Sequence, residues 1–147
     1  MIKKKLKNNL KGQSTLEMAL TLPLLLLLIF GMVFVGRYIH SFLQVTFAAT
    51  EGVKQGTLTN DNTQIDGAVY AIMKTLDPNP KTSGNTTVIK KPALETSRKR
   101  GDELEVTVNF RFKLPFKMNL PAPYNASILS QGEIIISQKA VSRMEKE

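Results

Sequence analysis

The sequence contains no cysteine and only one histidine, His40. Disulfide bonds, thiolate zinc sites and lipid attachment at a cysteine are therefore excluded. A lone histidine also excludes a metal site with several imidazole ligands, and we expect His40 to be an interfacial or solvated side chain. No Ser/His/Asp set, paired acids or metal-ligand spacing is present. The sequence thus predicts no enzyme, no catalytic residue, no metal and no cofactor.

Acidic residues are missing from the first twelve positions, which carry five lysines: Lys3, Lys4, Lys5, Lys7 and Lys11. Without these lysines, 15 basic residues face 12 acidic ones, so the net charge falls from +8 to +3. The basic character therefore belongs mostly to residues 1–12 and does not indicate a nucleic-acid partner. The later run Arg98-Lys99-Arg100 precedes Gly101-Asp102 and predicts a solvated turn within Ser97–Asp102.

Charge is absent from Met18 to Gly36, a run of 19 residues. This length matches the roughly 20 residues that cross a bilayer as a helix, whereas a cleavable secretory signal has a shorter apolar core of about 7 to 15 residues. The lysines precede the run and the lone Arg37 follows it, which predicts a cytoplasmic N-terminus. We expect a single-pass protein of the cytoplasmic membrane, with everything after about Arg37 outside the cytoplasm.

The helical pattern continues beyond the apolar run, because Tyr38, Phe42, Val45 and Ala49 recur at spacings of three and four. A helix from Gln13 to about Gln55 is predicted, with a local kink at Pro23, which cannot donate a backbone hydrogen bond. The predicted divisions are a leader (1–12), a transmembrane part (13–36), an exported continuation of the helix (37–56) and a small exported domain (57–147).

The remaining residues predict one further helix and two or three strands. Caps for the helix are available from Asn60 to Thr63, its apolar stripe is Ile65, Val69, Ile72 and Leu76, and Pro78 and Pro80 end it. Strands are predicted at Thr86–Ile89, at Glu103–Leu114, where polarity alternates strictly, and at about Ser127–Val141, with an interruption near Gly132. The expected fold class is α+β: a long transmembrane spine helix packed on a second helix and a short antiparallel sheet.

The junction of leader and helix carries one carboxylate, Glu17, close to the apolar run. An ionised acid inside a membrane costs roughly 2 to 3 kcal/mol or more, so its presence suggests a function. A simpler reading places Glu17 at the headgroups, where the N-terminal helix dipole favours an acid. The glycine before the helix, Gly12, suits a protease that fits an extended backbone closely. Cleavage there would expose the amine of Gln13, one helical turn from Glu17, and staggered copies could then pair amine with carboxylate.

The run Gly12–Glu17, followed by Ala19, Pro23, the Leu24–Ile29 run, Gly31 and Arg37, resembles the class III prepilin signal of the TadE family. This family comprises pilin-like proteins of tight-adherence (Flp, type IVb) pilus systems. The segment from Ala48 to Lys54 also resembles the family, so the resemblance covers about residues 11 to 56. Related pilins often have an aromatic residue after the glutamate, where this chain has Met18.

The resemblance implies a minor pilin or pseudopilin that supports adhesion or secretion. It also implies cleavage between Gly12 and Gln13 by a prepilin peptidase, assembly with other pilin subunits through the helix at an inner-membrane assembly platform, and Glu17 setting the register. The alternative that the residues leave open is a non-assembling single-pass protein whose exported domain binds a ligand or partner. A secreted enzyme released by signal peptidase has no catalytic set to support it.

Overall fold

The computed structural model describes residues 2–93, 98–99, 101–114 and 132–144, with side chains from Gln13 onward. The chain divides after Tyr38 into two units. The first is a length of helix, and the second contains the end of that helix, another helix and a three-stranded sheet. The predicted α+β class is confirmed. The proline-rich connection after β2 and the expected start of the last strand at Ser127 lie outside the described residues.

The first helix, α1, spans Ile2–Thr59 and passes through Pro23. It begins earlier than the predicted Gln13, because the lysines and leucines of the leader are good helix formers. It ends at Asn60, which has a left-handed φ of 52° and donates its backbone N–H to the Gly56 carbonyl at 3.0 Å. Asparagine tolerates this conformation and is a common residue at a helix C-terminus.

Two glycines let α1 pack closely on the rest of the domain, whereas the sequence had suggested that the helix ends near them. A Cβ on Gly52 would lie 2.7 Å from Cγ2 of Val69, and a Cβ on Gly56 would overlap the Leu104 side chain. Both positions therefore need glycine, because any larger residue would overlap the side chain of Val69 or Leu104.

The second helix, α2, spans Asn62–Met73. Its N-cap is Asp61, which accepts hydrogen bonds from the backbone N–H of Thr63 at 2.7 Å and from the Thr63 hydroxyl at 2.6 Å. These bonds hold the pKa of Asp61 below its ordinary value. The helix ends before the predicted Pro78, and a series of turns connects Met73 to Asp77. Its buried stripe is Ile65, Val69 and Met73, so the predicted Ile72 and Leu76 lie beside the core instead of in it.

The three strands form one antiparallel sheet in the order β1-β2-β3. Their bounds are Thr86–Lys91 for β1, Glu103–Lys113 for β2 and Glu133–Arg143 for β3. The alternation predicted for β2 is confirmed, since every second side chain from Leu104 to Phe112 is buried. Gly132, with a φ of 67°, precedes β3 where the sequence predicted an interruption.

The core of the second unit combines one face of α1, one stripe of α2 and the inner face of β2. Its most buried members are Val45, Ala48, Ala49 and Val53 of α1, Ile65, Val69 and Met73 of α2, and Leu104, Val106 and Val108 of β2. The helix continues through the residues whose spacing predicted it, and of these Val45 and Ala49 are buried whereas Phe42 is exposed. The buried face also includes Ser41 and both glycines, because small residues allow α1 to lie against the sheet.

Candidate functional site

The candidate site is the first turn of the apolar part of α1, where Gln13 and Glu17 lie four residues apart. The Gln13 side-chain amide donates a hydrogen bond from Nε2 to Oε1 of Glu17 at 3.3 Å. Both side chains are exposed. The sequence argument considered only the backbone amine of Gln13, although the spacing of four residues could have indicated this side-chain contact. The bond engages a single oxygen of the carboxylate.

The other two predicted site residues lie on the same helix. Gly12 immediately precedes Gln13 in α1, so the proposed cleavage bond lies within helical backbone. Pro23 lies inside the helix and is exposed, and its predicted kink remains a prediction. Pro23 lies less than two helical turns after Glu17. The four predicted site residues therefore lie within one short segment of α1.

Exposed apolar side chains surround this segment and continue along the first unit. From Gln13 to Val33 every side chain is exposed, and Leu27, for example, retains 71% of its accessible surface. The helix Gln13–Thr59 is long and apolar enough to cross a membrane, and none of its most apolar window is buried within the structure. This helix fits a single-pass membrane protein, because such a surface needs lipid or another protein to cover it.

A second apolar surface lies on the part of α1 that belongs to the packed domain. It comprises Ile39, Phe42, Leu43 and Phe47, which are all exposed. We call these four residues the outer stripe. The sequence analysis did not identify this surface, because spacing alone does not say which face of the helix the domain covers. The burial of Ser41, Val45 and Ala48 shows that the core lies on the opposite side of α1. The outer stripe follows the 19-residue uncharged run in the sequence. That run alone is about long enough to cross a bilayer, so these four residues are not needed for the crossing.

The basic run Arg98-Lys99-Arg100 was predicted to be solvated, and this prediction is wrong for Arg98. Its side chain is only 4% exposed. The guanidinium donates hydrogen bonds to the Pro92 carbonyl at 2.9 Å and to Oδ1 of Asn62 at 2.6 Å. Arg98 therefore joins the segment after β1 to the start of α2. The predicted turn follows it, where Asp102 accepts the Lys99 N–H at 2.9 Å, and Arg100 lies outside the described residues.

Besides Asp61, two carboxylates of the domain have lowered pKa values, and both have structural partners. The Ser83 hydroxyl donates to Oδ2 of Asp77, and this bond is the main cause of the lowered pKa of Asp77. Lys139 lies 2.9 Å from Oε2 of Glu105 and is the main cause of the lowered pKa of Glu105. Neither group of residues has the arrangement of an acid–base site. Across the residues that the structure describes, no cluster of His, Asp and Glu could hold a metal ion.

Comparison with protein families gives one match. The model of the family described as TadE-like protein matches residues 12–54. Comparison with curated proteins and with solved structures gave no match. The matched segment contains all four predicted site residues and the outer stripe. The resemblance seen in the sequence is thus confirmed over residues 12–54: this segment is similar to the TadE-like family, which suggests an association with the Tad pilus.

Proposed function

We propose that this chain is a minor pilin or pseudopilin of a tight-adherence pilus. In this proposal the chain is inserted into the membrane with its N-terminus in the cytoplasm, cut between Gly12 and Gln13 by a prepilin peptidase, and assembled with other pilin subunits through α1. Such subunits support adhesion or secretion. The observation that carries the proposal is the TadE-like match at residues 12–54, because it coincides with an exposed apolar helix that has an acid near its start.

The geometry at Glu17 supports a role in register. Its contact with Gln13 uses Oε1, and after cleavage Oε2 would accept the new amine of a neighbouring subunit. Pairing two opposite charges offsets part of the cost of placing them in an apolar environment, whereas a single unpaired charge bears the whole cost. Only one stagger of neighbouring helices brings an amine and a carboxylate together, so the ion pair would select that stagger.

The outer stripe supports assembly through the same helix. Ile39, Leu43 and Phe47 follow each other at spacings of four, so they share one face of α1. Phe47 is 58% exposed, although the residue after it, Ala48, is completely buried. Because the packed domain leaves this face uncovered, the helix of a neighbouring subunit is its proposed partner.

Substitution of Glu17 by leucine tests the function. The neutral helix should enter the membrane at least as well as the natural one, because the cost of the charge is removed. Incorporation into pili, measured by immunoblotting of sheared filaments, should fail. Glu17→Gln should fail as well, because the amide keeps the shape of the side chain but cannot form an ion pair.

The chain supplies a matched control at Glu51. This residue also accepts a hydrogen bond from a glutamine four positions away on α1, from Gln55 Nε2 to Glu51 Oε1 at 3.1 Å. Glu51→Gln should leave incorporation unchanged because it lies outside the proposed register site. If Glu17→Leu is incorporated as well as the natural chain, the register role of Glu17 is wrong. If the natural chain itself is not found in sheared filaments, the assembly role is wrong, and the helix is only an anchor for a domain that binds a ligand or partner.

A second variant separates the outer stripe from the fold. Phe47→Ser should reduce incorporation into pili, because it removes an apolar contact with the neighbouring helix. The free energy of unfolding of the domain should change by no more than about 0.5 kcal/mol, as expected for an exposed position. Unchanged incorporation would exclude the outer stripe as an assembly surface.

A further inference from the structure

The long helix α1 and the central strand β2 run in opposite directions within the domain. A Cβ on Gly52 would lie 3.4 Å from Cγ1 of Val106, and a Cβ on Gly56 would overlap the Leu104 side chain. Later residues of α1 therefore lie beside earlier residues of β2. The last residues of β2 and the first residues of β3 thus lie at the end of the sheet where α1 enters the domain. We call this end, with residues 111–113 and 133–135, the near end.

The position of the near end along α1 follows from the rise per residue. A strand rises about 3.3 Å per residue and a helix about 1.5 Å. Arg111 follows Val106 by about 16 Å along β2, which corresponds to about eleven residues of α1. Because Val106 lies beside Gly52, Arg111 is level with about residue 41 of α1. Lys113 lies farther in the same direction, toward Ile39, the first residue of the packed unit.

This level coincides with the headgroup layer that surrounds α1 if the helix spans a membrane. The hydrocarbon core of a bilayer is about 30 Å thick and the whole bilayer about 40 to 45 Å, so each headgroup layer is roughly 5 to 8 Å deep. The uncharged run Met18–Gly36 covers about 28 Å as a helix, which nearly fills the core. The five residues 37–41 then cover about 7 Å, the depth of one headgroup layer.

Charge changes sign along the outer face of β2, the face that points away from the helices. At the far end of the strand, the acid Glu105 is paired with Lys139 at 2.9 Å and with Lys91 at 3.8 Å. At the near end, Arg111 and Lys113 are both exposed. The bases at the far end are therefore bound to an acid of the sheet, whereas those at the near end extend into solvent.

Two described acids lie close to these cations. Glu133 is half-buried and lies opposite Lys113 in the sheet. Asp77 is affected by the charge of Lys113, but it is buried and accepts hydrogen bonds from Ser83 and Asn85. The exposed surface of the near end therefore remains positively charged.

An exposed apolar side chain accompanies the two cations. Ile135 lies opposite Arg111 on the outer face of the sheet and is 65% exposed. The connection 115–131 follows Leu114 at this end, and its sequence contains a single charged residue, Lys117, so it adds no acid. Basic residues combined with exposed apolar side chains are typical of surfaces that contact lipid headgroups.

We propose that the near end of the sheet contacts the phospholipid headgroups that surround α1. Arg111 and Lys113 bind lipid phosphates, for which guanidinium and ammonium groups are suitable ligands. Ile135 packs against the apolar parts of the same lipids. The domain thus has a second attachment to the outer surface of the membrane besides its helix. The inference requires that α1 spans a membrane, but it requires neither cleavage at Gly12 nor assembly into a pilus.

Single labelled cysteines test the contact directly, because the natural chain has no cysteine. The full-length Ile135→Cys protein is labelled with a small fluorophore and reconstituted in vesicles of phosphatidylethanolamine and phosphatidylglycerol that contain a lipid with a nitroxide at its headgroup. The fluorophore should be strongly quenched. The matched control is Val141→Cys, which is also exposed on the outer face of β3. It lies about 20 Å farther from the near end, so its quenching should be several-fold weaker.

Removal of the two cations tests the phosphate contact. In the Ile135→Cys protein, Arg111→Gln with Lys113→Gln should reduce the quenching several-fold, and the fold should persist because both side chains are exposed. The control Lys99→Gln removes an exposed lysine beyond the far end and should change nothing. In vesicles of an uncharged galactolipid, which has no phosphate, the protein should give the same quenching with and without the two glutamines.

A label in the uncharged run separates this proposal from the membrane insertion on which it depends. Leu27→Cys should be quenched by a lipid with a nitroxide in its acyl chain. If Leu27→Cys is not quenched, α1 does not span the membrane, and the membrane part of the proposed function fails together with this inference. If Leu27→Cys is quenched but Ile135→Cys is quenched no more than Val141→Cys, only the headgroup contact is overturned.

Two other results would also overturn the proposal. Equal quenching with and without the two glutamines in phospholipid vesicles would show that Arg111 and Lys113 do not bind phosphates. Shielding of position 135 in cells but not in phospholipid vesicles would show that the partner of the near end is a protein.

Discussion

The two units of this protein differ in the exposure of their apolar side chains. In the first unit the leucines are exposed without exception from Leu16 to Leu28, whereas in the second Leu104 is completely buried. The apolar residues of the domain contact each other, so their burial stabilises its fold. Those of the first unit are exposed from Gln13 to Val33 in the part of the chain that the structure describes, so their burial requires a membrane or other subunits. The same residue type thus contributes to folding in one unit and to insertion or assembly in the other.

The largest expected contrast is between two leucines, one from each unit. Leu104→Ala should lower the free energy of unfolding of the domain by about 2 to 5 kcal/mol, because it leaves a cavity in the core. Leu27→Ala should leave this free energy unchanged, since Leu27 is 71% exposed. Hydrogen exchange of the β2 amides measures both effects. Equal effects of the two variants would show that the units do not differ in this way.

Glycines give the next contrast. Gly56→Ala places a methyl group against Leu104 and 2.8 Å from Cδ1 of Ile65, so it should destabilise the domain by about 1 to 3 kcal/mol through overpacking. Gly67→Ala should instead stabilise α2 by about 0.5 to 1 kcal/mol, because nothing lies within 4 Å of its new Cβ. Denaturant unfolding followed by circular dichroism compares the two variants. A stabilising Gly56→Ala would mean that α1 does not pack closely at this position.

Two neighbouring basic residues, Arg98 and Lys99, allow a buried and an exposed side chain of the domain to be compared. Arg98→Ala should cost about 1 to 3 kcal/mol of unfolding free energy, because it removes charge-assisted bonds to Pro92 and Asn62. Lys99→Ala should change it by less than about 0.5 kcal/mol, since its side chain is exposed. Denaturant unfolding measures both free energies. Equal changes for the two variants would show that the bonds of Arg98 do not stabilise the domain.

The smallest expected effect concerns pH. The pKa of Asp77 is lowered mainly by the Ser83 hydroxyl, with further hydrogen bonds from the Asn79 N–H and the Asn85 amide. Because the folded pKa lies below the unfolded value near 3.8, this contribution to stability is present above pH 3.8 and is lost as the pH falls through the folded pKa. Ser83→Ala should therefore flatten the decline of stability below pH 4. An unchanged decline would show that this bond does not perturb Asp77.

Patterns with a clear period were predicted correctly from the sequence. The strict alternation of β2 reflects one buried face and one more exposed face, and the uncharged run of α1 reflects one apolar environment, so the local sequence pattern identifies both. The resemblance of Gly12–Glu17 and its surroundings to the TadE family also identified the segment that the family model matches.

The errors occurred where tertiary contacts decide the environment. Gly52 and Gly56 resemble a helix end, but they lie inside α1 because Val69 and Leu104 approach them. Arg98 resembles a surface residue, but bonds to residues distant in sequence bury it.

The most direct test of the account is the N-terminus of the mature chain. Intact-mass analysis of the membrane-extracted protein, from cells with and without the prepilin peptidase, decides whether the leader is removed. We expect a chain that begins at Gln13 when the peptidase is present and one that retains the leader when it is absent. A chain that keeps the leader in both strains, or one that begins near Ala49, would contradict the account.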